Sequence, residues 1–164
     1  MTSPIVCCAE AALQRNRTTE KRPIFDRVEI GSTGVGRLAT MQLAFSKIGD
    51  VCSGDAVSVL LQARTNQPIS LLARWIVDRN ILSFEEHGER WIPMFQFARE
   101  DMSIKNTVQT IICELRDVFD DWELVEWFAT PNAVLFGERP ADVAWRGNPS
   151  AIEAARLDRF VATG

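Results

Sequence analysis

Residues 120–145 read DDWELVEWFATPNAVLFGERPADVAW, and their helix starts and stops are too closely spaced for the long helices of an ordinary bundle. Asp120 or Asp121 suits the N-cap of a first helix, because a short carboxylate accepts hydrogen bonds from free backbone N–H groups. That helix must end before Pro131, since the residue preceding a proline disfavours helical backbone. Thr130 then suits the N-cap of a second short helix, with the proline in its first position.

Two more short helices are predicted downstream of this stretch. Pro140 opens a helix that runs to Trp145 and is closed by Gly147. Ser150 and Glu153 have the spacing of a capping box at the start of the last helix. In that last helix we expect four side chains to face inward, namely Ile152, Ala155, Phe160 and Val161.

The remaining C-terminal elements complete a compact bundle of short helices over residues 100–164. Ser103 is expected to cap an amphipathic helix whose apolar stripe runs through residues 104–119. Trp122 and Trp127 are expected in the core, because large aromatic side chains dominate core energetics. Trp145 is expected to be more exposed, and an exposed tryptophan is a good anchor for an interface.

The pattern WF-x-TPN-x-x-L-x-G-x-x-P-x-D in residues 127–142 resembles the C-terminal toxin-binding domain of the Xre/MbcA/ParS antitoxins. In that family the domain binds a RES-fold toxin, an enzyme that attacks NAD or uses it for ADP-ribosylation. The family's proteins form homodimers or larger assemblies, and an N-terminal region often represses the operon. The resemblance covers residues 100–164 and, more loosely, the unit before them.

The resemblance also implies which residues contact a partner. In the family the end of the chain lies near the entrance to the toxin's active site, which here makes residues 159–164 the candidate contacts. The partner-binding candidates are therefore Trp145, Arg156, Arg159, Phe160 and Gly164. The chain departs from the family pattern in its first 50 residues, and in a hairpin that the usual Xre helix-turn-helix lacks.

Residues 53–97, the central unit, have the order helix, tight turn, helix and hairpin, which is the layout of a small winged helix-turn-helix. Ser53 suits the N-cap of the first helix and Pro68 the first position of the second, which Asn80 would end in the left-handed conformation. His87-Gly88 would turn the hairpin, whose tail resembles excisionase-type wings. Such domains place the second helix in the major groove, and the DNA-binding candidates are Arg64, Asn66, Gln67, Ser70 and Arg74.

The charge of the chain limits this interpretation. The net charge of the 164 residues is −4, so DNA binding would need a local basic patch, and Asp78 is unfavourable beside phosphate. Helix pairs with short turns that touch no DNA are also common. No stretch approaches the ~20 apolar residues of a membrane span, and the N-terminus lacks the pattern of a signal peptide. We therefore expect no membrane association and a cytoplasmic protein.

The N-terminal part of the chain is less informative. Residues 1–23 are expected to form a flexible arm, with a short basic cluster from Arg15 to Arg22 that could touch phosphate. Residues 24–99 are predicted to be a helical region that contains the central unit. Residues 31–38 imitate a phosphate-binding loop, but Arg37 and Leu38 stand where that motif needs lysine and then serine or threonine.

No motif in the chain indicates catalysis. His87 is the only histidine, and the spacing of Cys7, Cys8, Cys52 and Cys113 fits neither a zinc site nor a disulfide framework. We expect no cofactor and a non-enzymatic, antitoxin-like homodimer that binds a RES-type toxin and possesses a candidate DNA-binding unit. Two alternatives stay open, a stand-alone DNA-binding regulator and a dimeric interaction module with neither toxin nor DNA.

Overall fold

The computed structural model describes residues 36–164, and this part of the chain is mainly helical with a small three-stranded antiparallel sheet. The coarse prediction of a mainly α protein is confirmed. In chain order the elements are α1 (Arg37–Phe45), β1 (Val51–Ser53), α2 (Gly54–Leu61), α3 (Pro68–Val77), β2 (Phe84–Glu86), β3 (Glu89–Pro93), α4 (Asn106–Leu115), α5 (Asp121–Ala129), α6 (Pro140–Trp145) and α7 (Ser150–Thr163). Two single 3₁₀ turns lie at Met94–Gln96 and Ala133–Leu135. The predicted arm over residues 1–23 and the glycine-rich segment as far as residue 35 lie outside the described residues.

The sheet has the order β1-β3-β2, and both pairings are antiparallel. The predicted hairpin is present, although its first strand is limited to three residues. His87 and Gly88 form its two-residue turn, with φ of 53° and 77°, as hairpins with such short loops require. The sequence did not indicate β1, which pairs with β3 through Cys52 and Ile92. Three residues are too few to show an alternating pattern.

The two helices of the central unit begin where the sequence predicted. The Ser53 hydroxyl accepts a hydrogen bond from the Ala56 N–H at 3.3 Å, and Pro68 occupies the first position of α3. Arg79, at φ 50°, takes the left-handed position predicted for Asn80, and its guanidinium donates to the carbonyls of Arg116 and Phe119. A small core fills this unit, formed by Val57, Leu61, Leu72, Ile81, Ile92 and Phe97.

A larger core joins α1 to the C-terminal helices. The ring centroid of Phe45 in α1 lies 5.0 Å from that of Phe95. The centroid of Phe95 in turn lies 5.5 Å from that of Phe128 in α5. All three rings are fully buried. The hairpin also contributes to the position of α1, since the Glu86 carboxylate accepts a hydrogen bond from the Leu38 N–H at 2.8 Å. The first described helix and the C-terminal helices therefore share one hydrophobic interior.

The start of α5 is as the sequence predicted. The Asp120 carboxylate accepts a hydrogen bond from the Glu123 N–H at 2.8 Å, and the Glu123 carboxylate accepts one from the Asp120 N–H at 2.9 Å. This reciprocal arrangement is a complete capping box. Helix α6 also has the predicted bounds, with Pro140 in its first position and Gly147 beyond its end at φ 73°.

Three other predicted caps are wrong. Helix α4 begins at Asn106 rather than after Ser103, because Ile104 instead forms a β-bridge with Phe97. Thr130 caps no helix, because the 3₁₀ turn begins later, behind Asn132. Ser150 does not cap α7. The side chain of Asn148, which precedes the helix, instead accepts a hydrogen bond from the Ser150 N–H at 3.0 Å.

No helix within residues 36–164 combines the length and the apolar character that crossing a membrane requires.

Candidate protein-binding surface

Helix α7 exposes an apolar stripe on the side that faces away from the protein. Phe160 and Val161 stand three and four residues after Leu157, so all three lie on one side of the helix. Phe160 is 71% exposed, and the other two are each 47% exposed. The predicted inward orientation of Phe160 and Val161 is therefore wrong. The inner side of α7 is instead made of three buried alanines, Ala151, Ala154 and Ala155, which leave no room for a large side chain against the neighbouring helices.

A second group of exposed apolar side chains lies on the turn between α5 and α6. Asn132 caps the 3₁₀ turn by accepting a hydrogen bond from the Val134 N–H at 2.8 Å, and Leu135 is buried beneath it. Phe136 then adopts a left-handed backbone, with φ 57°, and is 99% exposed. This conformation costs a non-glycine residue about 1 kcal/mol, and such strain concentrates at functional sites. The sequence pattern predicted that the second short helix runs through Phe136 and did not indicate that this side chain is exposed.

Asp158 ties this turn to α7. Its Oδ2 accepts a hydrogen bond from Trp127 Nε1 at 2.7 Å and another from Asn132 Nδ2 at 2.9 Å. The carboxylate therefore fixes three elements at one point, namely α5, the turn and α7. We call the exposed apolar side chains on the two outer elements the C-terminal apolar surface, and it consists of Val134, Phe136, Leu157, Phe160 and Val161.

The two predicted arginine contacts lie beside this surface and are held in place by α4. Glu114 accepts a hydrogen bond from Arg156 at 3.0 Å and one from Arg159 at 2.9 Å. Arg156 also pairs with Glu153 at 3.0 Å. Burial by itself would raise the pKa of Glu114, but the hydrogen bonds and charges of both arginines outweigh it and lower the pKa below 4.5. Gly164, the last predicted contact, is exposed at the end of α7.

This arrangement predicts a pH-dependent contribution of Glu114 to stability. A carboxylate whose pKa is lowered on folding stabilises the protein above its unfolded pKa of 4.5, and the stabilisation is lost as the pH falls through the lower folded pKa. We expect Glu114→Gln to reduce the free energy of unfolding at pH 7 by about 1 kcal/mol or less, because both arginines are half-exposed. Urea denaturation at several pH values measures this loss. Glu126→Gln on α5 is the control, and a loss that stayed constant into acid would contradict the assignment.

Trp145 is 41% exposed, in agreement with the expectation for it. The ammonium group of Lys105 lies 5.4 Å from its ring centroid and donates to its carbonyl oxygen at 3.4 Å. Burial lowers the pKa of Lys105, and the nearby charge of Arg99 lowers it further. The Lys105 ammonium therefore lies over the indole of Trp145, and the rest of the exposed indole surface is open to solvent.

The five DNA-binding candidates all lie on the exterior of the central unit. Asn66, Gln67, Ser70 and Arg74 are exposed in the turn and on α3, whereas Arg64 donates to the Asp101 carbonyl at 3.0 Å and lies 3.5 Å from its carboxylate. Arg74 is the only cation on the exposed face of α3, a helix that the structure describes in full. The hairpin adds the exposed carboxylates of Glu85 and Glu89, and its cation Arg90 lies 3.5 Å from the Glu85 carboxylate, so the exterior that would face DNA is weakly charged and partly acidic.

A shallow cleft of about 430 Å³ lies where the hairpin meets the start of α5. Arg79 lies 2.9 Å from the Asp121 carboxylate and Arg90 lies 3.6 Å from it, while the guanidinium of Arg37 lies 4.6 Å from the centre of the Trp122 ring. The charged residues of this cleft therefore form ion pairs within the fold, which connect the hairpin and the end of α3 to α5. His87 is exposed in the hairpin turn, and no three potential metal ligands come together in the described part of the chain.

Comparisons with models of protein families, with curated proteins and with solved structures give no match for this chain.

Proposed function

We propose that this chain is a non-enzymatic protein-binding module of the antitoxin type, which captures a RES-type toxin with its C-terminal apolar surface. The observation that carries the proposal is Phe136, a fully exposed aromatic side chain held in a strained backbone conformation. A position that only had to keep the turn soluble would not need an aromatic residue there. The resemblance of residues 127–142 to the toxin-binding domain of antitoxins supports the choice of partner.

The apolar stripe on α7 supports the same function. Burying one leucine, valine or phenylalanine side chain contributes about 1.5 to 3 kcal/mol, so Leu157, Phe160 and Val161 together offer a large part of the binding free energy of a stable complex. Their neighbours Arg156 and Arg159 are already oriented by Glu114, which reduces the entropy lost when they meet a partner. Trp145 is a second aromatic anchor within the same C-terminal unit.

The second part of the proposal concerns the central unit, which we regard as a winged helix-turn-helix-like unit. The alternative function, a stand-alone DNA-binding regulator, would rest on α3 reading the major groove. The single cation on its exposed face and the two exposed glutamates of the hairpin favour partner binding over DNA binding as the main activity. An antitoxin-type function also implies a cytoplasmic protein, because the toxin's NAD chemistry takes place there.

The test is a titration of the chain against a purified RES-type toxin, with NAD consumption and calorimetric binding as readouts. We expect the wild-type chain to suppress NAD loss. Phe136→Asp and deletion of residues 159–164 should each weaken binding by about 30-fold or more, because truncated anchor residues cost at least about 2 kcal/mol. Leu43→Asp is the matched control, since Leu43 is an apolar residue of α1 that is 81% exposed and lies outside the proposed surface.

Two results would contradict the proposal. One is a wild-type chain that neither binds the toxin nor protects NAD. The other is full neutralisation by both the Phe136→Asp protein and the protein that lacks residues 159–164. Circular dichroism of each variant verifies that the helices are intact, so that a loss of binding reports on the surface.

A further inference from the structure

Helix α3 exposes an apolar stripe that the proposed function does not use. Ile69 is 73% exposed and Val77 is 79% exposed, and the exposed Ala73 lies between them at four-residue spacing. Residues spaced by four lie on the same side of a helix, so these three form one row. Helix α2, which packs against α3, adds the exposed side chains of Val59 and Leu60. This exterior is more apolar than a nucleic-acid-binding helix requires.

Two opposite charges flank this row. Arg74 and Asp78 are both exposed, and neither forms an ion pair with another described residue. They are four residues apart, but a cation that precedes an anion along a helix is the less favourable order for pairing. Asp78 also stands at the C-terminal end of α3, where the helix dipole disfavours a negative charge. Within residues 36–164 both charged side chains are therefore without an ion-pair partner, although Arg116 donates a hydrogen bond to the backbone carbonyl of Asp78 at 3.2 Å.

We propose that α3 pairs with α3 of a second copy of this chain, antiparallel about a two-fold axis near residue 75. In this arrangement Val77 of each copy packs over Ala73 of the other, where the small side chain leaves space for it. Arg74 of each copy then lies within reach of Asp78 of the other. A two-fold interface must be self-complementary in this way, with every contact made twice.

The charges of the face favour a second copy over DNA as the occupant. The cation of each α3 and the anion just beyond its end cancel, so a second copy meets no net repulsion at this face, whereas phosphate would be repelled by Asp78. Pairing also covers Ser70 and Arg74, two of the residues predicted to touch DNA, and a dimer of this kind cannot read bases with α3. The interface is separate from the C-terminal apolar surface, so it stands or fails independently of toxin binding.

A charge exchange tests the proposal, with the mass in solution measured by sedimentation equilibrium. We expect the full chain to be a dimer. Val77→Arg should raise the dissociation constant at least about 30-fold, as loss of a buried anchor does. Arg74→Asp should also produce monomers, because it sets carboxylates against each other twice, and the double change Arg74→Asp with Asp78→Arg should restore the dimer. Leu43→Arg, an equally exposed apolar position on α1, should leave the dimer unchanged.

Three results would overturn the pairing of α3. The first is a wild-type chain that stays monomeric at the highest concentration at which it is soluble. The second is a dimer that persists in both Val77→Arg and Arg74→Asp, which would place the interface elsewhere. The third is salt-dependent binding to the protein's own promoter that Arg74→Ala weakens while the mass stays constant, which would assign α3 to DNA.

Discussion

Replacing Gln96 with alanine should lower the free energy of unfolding by about 3 kcal/mol, because it combines a cavity with buried polar groups that lose their partners. The side chain is fully buried. Its Oε1 accepts a hydrogen bond from the Leu82 N–H at 2.7 Å, and its Nε2 donates to the carbonyls of Leu82 at 3.0 Å and Pro93 at 2.7 Å. Alanine would leave the buried N–H of Leu82 without an acceptor.

The position of Gln96 explains why the loss should be cooperative. Its neighbour Phe95 belongs to the larger core and its neighbour Phe97 to the small core of the central unit. The amide therefore fixes the point at which the chain passes from one interior to the other. Urea unfolding followed by tryptophan fluorescence measures the change. Gln62→Ala on the exposed end of α2 is the control and should change stability by less than about 0.5 kcal/mol.

Loss of less than about 1 kcal/mol in Gln96→Ala would show that the surrounding backbone finds other partners. Gln96→Leu provides a second measurement, because it fills the space without restoring the hydrogen bonds. If the leucine variant recovered most of the stability, the cavity rather than the unpaired backbone groups would be the main cause of the loss.

Replacing Asp158 with alanine should cost about 2 kcal/mol of stability and also weaken partner binding. The carboxylate is the acceptor for both Trp127 Nε1 and Asn132 Nδ2, and hydrogen bonds to a charged group are each worth about 1.5 to 3 kcal/mol. Both donors are only partly buried, so water replaces part of the loss. The turn that presents Phe136 would no longer be fixed to α7.

Nuclear magnetic resonance tests the hydrogen bond between Asp158 and Trp127 directly, through the indole N–H signals of the tryptophans. The indole N–H signal of Trp127 should move upfield in Asp158→Ala, and the signal of the other tryptophans should stay in place. Asp117→Ala is the control, because it removes an exposed carboxylate that forms no ion pair within the described residues and lies outside the turn and the C-terminal apolar surface. An unchanged Trp127 signal, or toxin binding equal to that of the wild type, would show that Asp158 does not organise the surface.

The elements that the sequence predicted correctly are those decided by neighbouring residues. Asp120 with Glu123, Ser53, Pro68 and the His87-Gly88 turn all act within four residues along the chain. Their hydrogen bonds and backbone preferences do not depend on the rest of the fold. The same local chemistry failed at Ser103, Thr130 and Ser150, where a β-bridge, a late turn and an outside cap from Asn148 compete with the expected cap.

The candidate surface shows the same division. All five predicted partner contacts are exposed, on α6, on α7 and at Gly164 just beyond α7, but Phe136 and Leu157 were not among the predicted contacts. The apolar residues of α7 follow two stripes, one of alanines and one of large side chains, and the alanines are the ones buried where α7 packs against α4 and α6. A signal was available for Leu157, because it shares its side of the helix with Phe160 and Val161. No sequence pattern indicated that Phe136 is exposed, because its left-handed backbone arises from the way the turn closes.

The larger core also constrains how this chain can be made in a cell. Phe45 of α1 packs with residues near the C-terminus, and Arg139 donates to the carbonyl of Ala44, which lies 95 positions earlier. During synthesis α1 leaves the ribosome before α5 and α6, so the face of α1 that carries Met41 and Phe45 has no cover from these helices until residue 145 has emerged. A fragment begun at residue 100 would lack the same contacts from the opposite side.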